Sequence, residues 1–562
     1  MRPSSARLVT RRTCLRVLGL GSAATLLAAC SPAAAPAPTT APPAPTQPAA
    51  AAAQPTTAPA PAAAPTTPPA AAAATTTAPA QTGTSPAFRV DELSDTASLN
   101  PLIFNSTPTR RRAVLVFSSL YQYDASNNLV PDLASSMPQM PDPQTYIVPL
   151  RSNVRFHSGK QMTADDVKFT YDTLLMPDYG AIWRSAVSAV LDSITVQDAN
   201  TVVFKLNKPF GPFLTKLALI PIVNSEQSKD QLNQQPDGTG PFKFVAYQQG
   251  SVMQMARNDA YYFSELKPVI GELSIYVVPE NATRYANLAN GITQLAPEPA
   301  FGDLDLLKGK GVVINSVRAP ASTYGYINMK RADGPMTDKN LRRALAFAMD
   351  RSAIVQNIWA GQGIPGQVFI RPELWAFDPN YKPFSDTPDV TRAKAELAQS
   401  PHAGDRFVIT TANDDVLSGT AALIQSAGKA AGLNVDIGQL DRAAFGAELG
   451  KDDWDILLTD SYTGSNSGLE PDSINSLFVT NASANFGKYS NPEMDQEVAA
   501  AVFATSHEDA LPHYKRVMEI DAEDIPILTV AYHNYVEALS SKVQNYKTSP
   551  LAQYDLRTAS LG

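Results

Sequence analysis

The segment Leu150–Met176 constrains the fold of this chain more than any other stretch, and it reads LRSNVRFHSGKQMTADDVKFTYDTLLM. It begins with alternating apolar and polar residues, as in a β-strand, and then turns at Ser158-Gly159. Thr163 can accept from the backbone N–H groups of a first helical turn, and Asp166 follows as the reciprocal partner. An apolar stripe at helical spacing comes next, formed by Val167, Tyr171 and Leu174. The pattern predicts a strand, a turn and a capped helix.

The same residues, in the combination LR…VRFHSGK…TADDVKFTYDTL, resemble a family signature. They are similar to the hallmark of the peptide/nickel/oligopeptide class of extracytoplasmic solute-binding proteins, bacterial solute-binding protein family 5, which serve ABC importers. Ser158 stands where that family usually has an aspartate after the histidine. A purely structural role is the alternative explanation of this segment.

Other stretches resemble further landmarks of that family and occur in the family's order, so the resemblance covers about residues 87–545. These stretches are Leu99–Pro101, Phe117–Tyr123, Leu129–Ser135, Gly238–Phe242, Arg257–Tyr261, Asp338–Val355, Asn485–Asp495 and Ile525–Val530. An ordered set of this kind is far more specific than a single motif.

The region 407–459 alternates between predicted strands and predicted helices. The strands are Phe407–Thr411, Leu433–Ile437 and Trp454–Thr459, and the helices are Gly419–Ala431 and Arg442–Leu449. This alternation indicates a parallel α/β sheet. The resemblance implies the fold class in more detail. By this resemblance, we expect the chain to be an α/β protein of the two-lobe periplasmic-binding-protein type II (three-domain, cluster C). We also expect a hinge near 320–327 and 527–532 and an interlobe cleft.

The domain organisation follows from composition and from the family landmarks. We predict a lipoprotein export signal at 1–30, an Ala/Pro/Thr-rich disordered linker at 31–86, a lobe I core at 87–107 plus 237–322 plus 530–562, an inserted subdomain of lobe I at 108–236, and lobe II at 323–529.

The first thirty residues carry five arginines and no acid, followed by a short apolar core. Leu27-Ala28-Ala29-Cys30 resembles a lipobox, in which Cys30 is lipidated, and Arg11-Arg12 lies in a stretch that resembles a twin-arginine export motif. An ordinary short helix is the alternative. The linker that follows has no charged residue and favours extended backbone. These features predict an extracytoplasmic protein that a lipid anchors to the cell membrane, on the periplasmic or cell-surface side.

Composition argues against several function classes. The formal charge is −8, and removal of the signal's five arginines takes it to −13, so nucleic acid is not expected as a partner. Both cysteines, Cys14 and Cys30, lie in the first thirty residues, so the rest of the chain can form no disulfide or cysteine metal site.

Possible catalytic motifs do not assemble into a catalytic set. Gly361–Gly366 fits a dinucleotide-binding pattern but follows a predicted helix, so we interpret it as a loop. Ser426–Lys429 fits S-x-x-K but lies within a predicted helix, without the accompanying motifs. His507 and His513 are wrongly spaced for one metal-binding helical face. We therefore predict no enzyme activity, no cofactor and no metal site.

Ligands of open α/β sheets lie beyond the carboxyl ends of the strands. For the strands near 407–411 and 454–459 this rule points to the loops Ala412–Ser418 and Asp460–Pro471. The resemblance implies that the segment after the early Asn-Pro also lines the cleft. The predicted ligand-binding residues are Asn105, Ser106, Tyr324, Asn413, Asp414, Tyr462, Ser465 and Asn466. Ordinary solvation of a loop is the alternative for each residue taken singly.

Two departures from the family pattern bear on the ligand. By the resemblance, dipeptide binders of the family hold the peptide ammonium with an aspartate at the position of Ser465, and offer an arginine at the position of Asn413-Asp414-Asp415. A zwitterionic dipeptide would leave both of its charges unpaired, which is costly in a closed cleft. The residues favour a neutral polyhydroxylated solute, a cationic solute, or an oligopeptide bound through its backbone.

The resemblance implies a lipid-anchored monomeric receptor of an ABC importer, which captures a peptide, peptide-like or other small solute by lobe closure and delivers it to the permease subunits. The main alternative is a secreted lipoprotein hydrolase acting on cell-wall or peptide substrates. A third is a binding protein that signals to a sensor kinase or holds unfolded chains.

Overall fold

The computed structural model describes residues 86–103, 106–124, 126–331, 333–462 and 468–562, which all belong to one compact unit, Gln81–Gly562. The predicted export signal with Cys30, the linker up to residue 85, Asn105, Ser465 and Asn466 lie outside the described residues, and only the backbone of Tyr462 is described. Within these ranges every helix is too short or too polar to cross a membrane.

Helices are distributed through the whole described part of the chain and are numbered in chain order. Their bounds are α1 Thr107–Val116, α2 Ala164–Leu175, α3 Arg184–Ser188, α4 Phe213–Leu219, α5 Lys229–Gln234, α6 Asn281–Ala289, α7 Leu304–Gly309, α8 Lys339–Ala348, α9 Arg351–Asn357, α10 Val390–Leu397, α11 Asp415–Ala431, α12 Arg442–Glu448, α13 Ile474–Leu477, α14 Pro492–Val502 and α15 His507–Asp524.

The strands of the described residues are numbered in the same way. Their bounds are β1 Ala87–Glu92, β2 Tyr121–Tyr123, β3 Leu129–Pro131, β4 Gln139–Asp142, β5 Thr145–Pro149, β6 Leu191–Asp198, β7 Thr201–Leu206, β8 Phe242–Gln248, β9 Val252–Arg257, β10 Glu272–Val277, β11 Leu295–Pro297, β12 Val313–Ile327, β13 Gly363–Pro365, β14 Arg406–Ala412, β15 Asn434–Leu440, β16 Ile456–Tyr462, β17 Ile527–Leu539, β18 Val543–Gln544 and β19 Ser560–Leu561.

One large sheet organises the described residues. Its order is β15-β14-β16-β12-β17-β11-β1-β10-β9-β8, and β13 pairs beside β17. A separate four-stranded sheet, β4-β5-β7-β6, lies wholly within the range predicted as the inserted subdomain. The α/β class is therefore confirmed, whereas the predicted domain boundaries stay a prediction.

Helix α2 forms where the sequence predicted it, and its three stripe residues are fully buried. The Thr163 backbone N–H donates to Asp166 Oδ2 at 3.0 Å, which is the reciprocal half of the capping box. Asp166 is itself buried, pairs with Lys160, and accepts from the Ser225 backbone N–H at 3.1 Å. One aspartate thus caps the helix and fixes a distant loop.

The signature segment is also tied to the loop at 237–240. The Ser158 backbone N–H and hydroxyl donate to the two carboxylate oxygens of Asp237 at 2.9 and 2.6 Å. The His157 ring bonds Gly240 O at 3.0 Å, and burial lowers the pKa of His157 to about 4. In this chain Ser158 thus donates to an aspartate supplied by a later loop.

The glycines of this loop allow it to pack against the end of α1. A Cβ atom at Gly238 would lie 1.9 Å from Val116 O, and one at Gly240 would lie 2.6 Å from Leu115 O. Both distances are far below van der Waals contact, so only glycine fits.

The region 406–462 confirms the predicted parallel arrangement, because β14 pairs in parallel with both β15 and β16. Two boundaries differ from the prediction. Asp415–Ser418, predicted as loop, is the first turn of α11, and Asp460–Tyr462, predicted as loop, is the end of β16. The predicted loop Gly361–Gly366 is wrong in part, because Gly363–Pro365 pairs with β17 as a short edge strand.

Strands β12 and β17 run through the middle of the large sheet and pair antiparallel, with shifts of register within 318–324. Such irregularities bend a strand. Arg371 is 1% exposed and donates to Pro320 O and to Ser322 Oγ, each at 3.2 Å. A buried guanidinium therefore holds the irregular stretch, which overlaps the predicted hinge.

Candidate functional site

The carboxyl end of β14 is followed by Asp414, which begins helix α11. Its Oδ1 accepts from the backbone N–H groups of Val416 at 3.0 Å and Leu417 at 3.1 Å. Its other carboxylate oxygen lies 3.9 Å from Arg442 Nη2. Asn413 is exposed, and its N–H donates to Leu440 O at 2.7 Å. One oxygen of Asp414 is thus used by the helix cap and the other is available beside an exposed arginine.

Asp460 lies near the carboxyl end of β16, which neighbours β14 in the sheet. Burial raises the pKa of Asp460 above its ordinary value, the charges of Asp414 and Glu298 raise it further, and Arg442 lowers it. Asp414 and Glu298 therefore each lie close enough to Asp460 to disfavour its charged form. Sequence analysis placed Asp460 at the start of the predicted binding loop Asp460–Pro471 but, unlike Asp414, did not single it out as a site residue.

Glu298 follows β11 and adopts a left-handed backbone with φ 51°. It accepts from Arg111 Nη1 at 3.2 Å, and Arg111 Nη2 donates to the Tyr535 hydroxyl at 2.8 Å. Arg111 thus matches the charge of Glu298. When both are ionised, Asp414 and Asp460 together carry one more negative charge than Arg442 balances.

Ser106 is the N-cap of α1, and its side chain therefore has a structural role. Its hydroxyl oxygen accepts from the Thr109 backbone N–H at 3.3 Å and lies 2.9 Å from the Thr109 hydroxyl. The helix it starts contains three consecutive buried arginines, Arg110, Arg111 and Arg112. That run is visible in the sequence and is the signal by which Arg111 could have been found.

Tyr324 is 4% exposed and lies beneath the site rather than on its surface. Its hydroxyl is 3.2 Å from that of Tyr326, and its ring meets Phe369 edge-on at a centroid distance of 5.5 Å. Burial raises its pKa. In this conformation its ring faces are covered by protein, so the expected stacking surface for a ligand is not open.

Residues after the undescribed stretch 463–467 contact the range predicted as the inserted subdomain. Lys216 Nζ pairs with Asp472 Oδ2 at 2.6 Å, and both side chains are more than nine-tenths buried. The Leu469 N–H donates to the Tyr123 hydroxyl at 3.3 Å. Gly468 approaches the same tyrosine so closely that a Cβ atom would lie 2.6 Å from its hydroxyl. Residues 468–472 are therefore held against the range predicted as the inserted subdomain.

The rings of Trp375 and His507 form a stacked aromatic pair beside these contacts. Trp375 Nε1 donates to Glu470 Oε2 at 2.8 Å, and the ring of Trp375 stacks on His507 at a centroid distance of 3.8 Å. Trp375 is only partly buried. Sequence analysis missed this pair because 132 residues separate its members and neither belongs to a motif.

The arrangement can hold a cationic group. Ionised carboxylates accept charge-assisted hydrogen bonds from ammonium and guanidinium groups. Among the described residues, no group of three or more His, Cys, Asp or Glu side chains is arranged to hold a metal ion.

Comparisons with known proteins agree with this description. Residues 128–486 match the model of a protein family described as bacterial extracellular solute-binding proteins, family 5 middle. The dipeptide-binding protein of Escherichia coli K12 is 24% identical over 498 residues, which cover 82% of this chain and 92% of that protein.

Two solved structures have the same fold. The ABC transporter substrate-binding protein CtaP of Listeria monocytogenes has a TM-score of 0.78 at 22% identity, covering 85% of this chain and 99% of that one. NikZ of Campylobacter jejuni, solved with Ni(L-His), has a TM-score of 0.73 at 22% identity, covering 84% and 99%. The predicted two-lobe type II fold is thereby confirmed.

Proposed function

The chain belongs to the bacterial extracellular solute-binding proteins of family 5, and from that premise we propose that it captures a solute with a cationic group and delivers it to an ABC permease. Members of this family are binding proteins rather than enzymes. The observation that carries the proposal is the position of Asp460 within electrostatic reach of Asp414 and Glu298, a set of three carboxylates called the strand-end site below. Arg442 lies beside Asp414 and balances one of these charges.

A bound ammonium group would relieve the repulsion among these carboxylates. Asp460 and the available oxygen of Asp414 would accept its hydrogen bonds, while the other oxygen of Asp414 continues to cap α11. A peptide amino terminus, a basic side chain and a polyamine all offer such a group. Of the solutes that the sequence left open, the cationic one is therefore favoured over a neutral sugar.

Capture by closure is supported by the contacts around Lys216 and Asp472. A buried ion pair between distant parts of the chain stabilises the conformation that contains it, and removal of either partner leaves an uncompensated charge. The irregular pairing of β12 with β17 supplies a place where the two halves of the sheet can bend.

Export and anchoring rest on the sequence. The arginine-rich segment, the lipobox ending at Cys30 and the charge-free linker support a receptor whose binding unit is tethered to the outer side of a membrane by a lipid. A tethered receptor stays at high local concentration beside its permease.

A thermal-shift screen over dipeptides, longer peptides, oligosaccharides, polyamines and metal chelates tests the proposal. Peptides with a free amino terminus should stabilise the protein more than their N-acetylated forms, unless they carry a basic side chain. Recovery of intact peptide after incubation separates binding from the hydrolase alternative. Preferential stabilisation by neutral oligosaccharides, or hydrolysis of the peptides, would contradict the proposal.

Site variants locate the binding. Asp460→Asn should weaken a cationic solute by about 1.5–3 kcal/mol, since it removes a charge-assisted hydrogen bond. Asp415→Asn is the matched control, because Asp415 is exposed on the first turn of α11 and undergoes the same change of charge. Equal loss of affinity in both variants would show that net charge, rather than this site, determines binding.

A further inference from the structure

A cavity of about 650 Å³ lies in the described structure apart from the strand-end site. Its walls come from α1 and the residues after it, from 218–221, from the start of β12, and from the C-terminal stretch 546–557. No described residue of the range predicted as lobe II lines it. Its size is typical of a pocket for a small organic molecule.

Arg110 is the buried cation of this cavity that lacks hydrogen-bond partners among the described residues, whereas Lys547, which also lines it, is exposed. Its side chain is 9% exposed, and Nε and Nη1 have no hydrogen-bond partner among the described residues. The nearby carboxylate of Glu298 is occupied by Arg111. A buried cation without a hydrogen-bond partner is costly, and an anionic ligand would lower that cost. Burial also lowers the pKa of Arg110, to about 9.

The carboxylates of the same cavity already have partners. Asp124 accepts from the backbone N–H groups of Ser126 and Asn128 in its own loop. Asp132 accepts from the Tyr262 hydroxyl, and Asp555 pairs with Arg557 through two contacts of 2.7 and 2.8 Å. None of them forms a hydrogen bond to Arg110 in the described residues.

The remaining walls combine polar residues with a set of apolar ones. The apolar residues form one part of the surface and include Trp183, Leu219, Tyr261, Val317 and Leu551. Ala113 and Ala218 also line the cavity, and their small side chains leave it open. Ser118 and Ser119 lie where the chain leaves α1 and also line the cavity, and the Ser118 hydroxyl is hydrogen-bonded to the Tyr262 hydroxyl at 2.9 Å. A ligand that fills this space needs an anionic group at one end and an apolar body.

We propose that this cavity binds a small amphipathic organic carboxylate whose carboxylate pairs with Arg110 and whose apolar body contacts Trp183 and Tyr261. The planar guanidinium matches a carboxylate in geometry and charge. Glu298 of the strand-end site lies near Arg110, but the ligands of the two sites have opposite charge, so the carboxylate proposal is tested separately from the proposed solute.

The test is isothermal titration of the full chain with 3-phenylpropionate and benzoate, compared with benzyl alcohol, benzylamine and inorganic phosphate. The two carboxylates should bind, and the alcohol, the amine and phosphate should bind at least roughly ten-fold more weakly, because each lacks either the charge or the apolar body. Binding of phosphate as tight as that of the carboxylates, or of no carboxylate at all, would overturn the proposal.

Three variants locate the site. Arg110→Met should weaken 3-phenylpropionate by roughly ten-fold or more without lowering the melting temperature of the ligand-free protein, since it removes an unpaired charge. Ala218→Phe keeps the charge but fills the cavity, and should also weaken binding. Arg155→Met is the control, because Arg155 is exposed and donates to Gly159 O.

Unchanged affinity in Arg110→Met or in Ala218→Phe would overturn the assignment. A melting temperature of Arg110→Met well below that of the unmodified protein, or failure of this variant to fold, would make Arg110 a structural residue and would also overturn it.

Discussion

At the scale of single residues, several titratable groups are buried without full compensation. Asp521 on α15 is 3% exposed, and its Oδ2 accepts from the Phe369 backbone N–H at 2.7 Å. Burial raises its pKa from 3.8 to about 7, the hydrogen bond from Phe369 opposes the shift, and Asp524 adds to it. The folded state therefore binds a proton at Asp521 more tightly than the unfolded state does.

The raised pKa of Asp521 determines the direction in which the unfolding free energy changes with pH. The contribution of Asp521 to stability is complete below the unfolded pKa of 3.8 and is lost as pH rises through the folded pKa of about 7. Because of Asp521, the unfolding free energy of the unmodified protein should fall as pH rises from about 4 to about 7.5. In Asp521→Asn this fall should be smaller by roughly 2–4 kcal/mol. Urea unfolding at both pH values measures it, with the exposed Asp305→Asn as control. The same pH dependence in Asp521→Asn and in the unmodified protein would contradict the prediction.

At the scale of elements, the loop at 237–240 can pack against α1 only because Gly238 has no side chain. Gly238→Ala should destabilise the protein by more than about 2 kcal/mol, because its Cβ would collide with Val116 O and shift the end of the helix. Gly446→Ala is the control. Gly446 is exposed within α12 and has open space around it, so alanine should raise the unfolding free energy by about 0.5–1 kcal/mol. Denaturant unfolding compares the two, and equal effects would contradict the packing argument.

Elements were also where sequence reasoning succeeded best. Helix α2 and the alternation of strands and helices over 406–462 were predictable, because local periodicity and capping determine them. The burial of Tyr324 was not, because the neighbours that cover a strand come from distant segments such as the one holding Phe369. The pairing of Lys216 with Asp472 and the stacking of Trp375 on His507 were beyond prediction for the same reason.

At the scale of the whole molecule, the account depends on closure around a bound solute. The pair Lys216–Asp472 holds together the range predicted as the inserted subdomain and the segment after the strand-end site. Asp472→Asn should favour the open state, because it leaves Lys216 with less compensation. A smaller closed population lowers the apparent affinity for solute in proportion.

Small-angle X-ray scattering, with and without the highest-affinity cationic solute of the screen, tests this claim most directly. The radius of gyration of the unmodified protein should fall on addition of solute. Asp472→Asn should start from a larger radius and need more solute to reach the same final value. A radius that saturating solute leaves unchanged in the unmodified protein would contradict capture by closure.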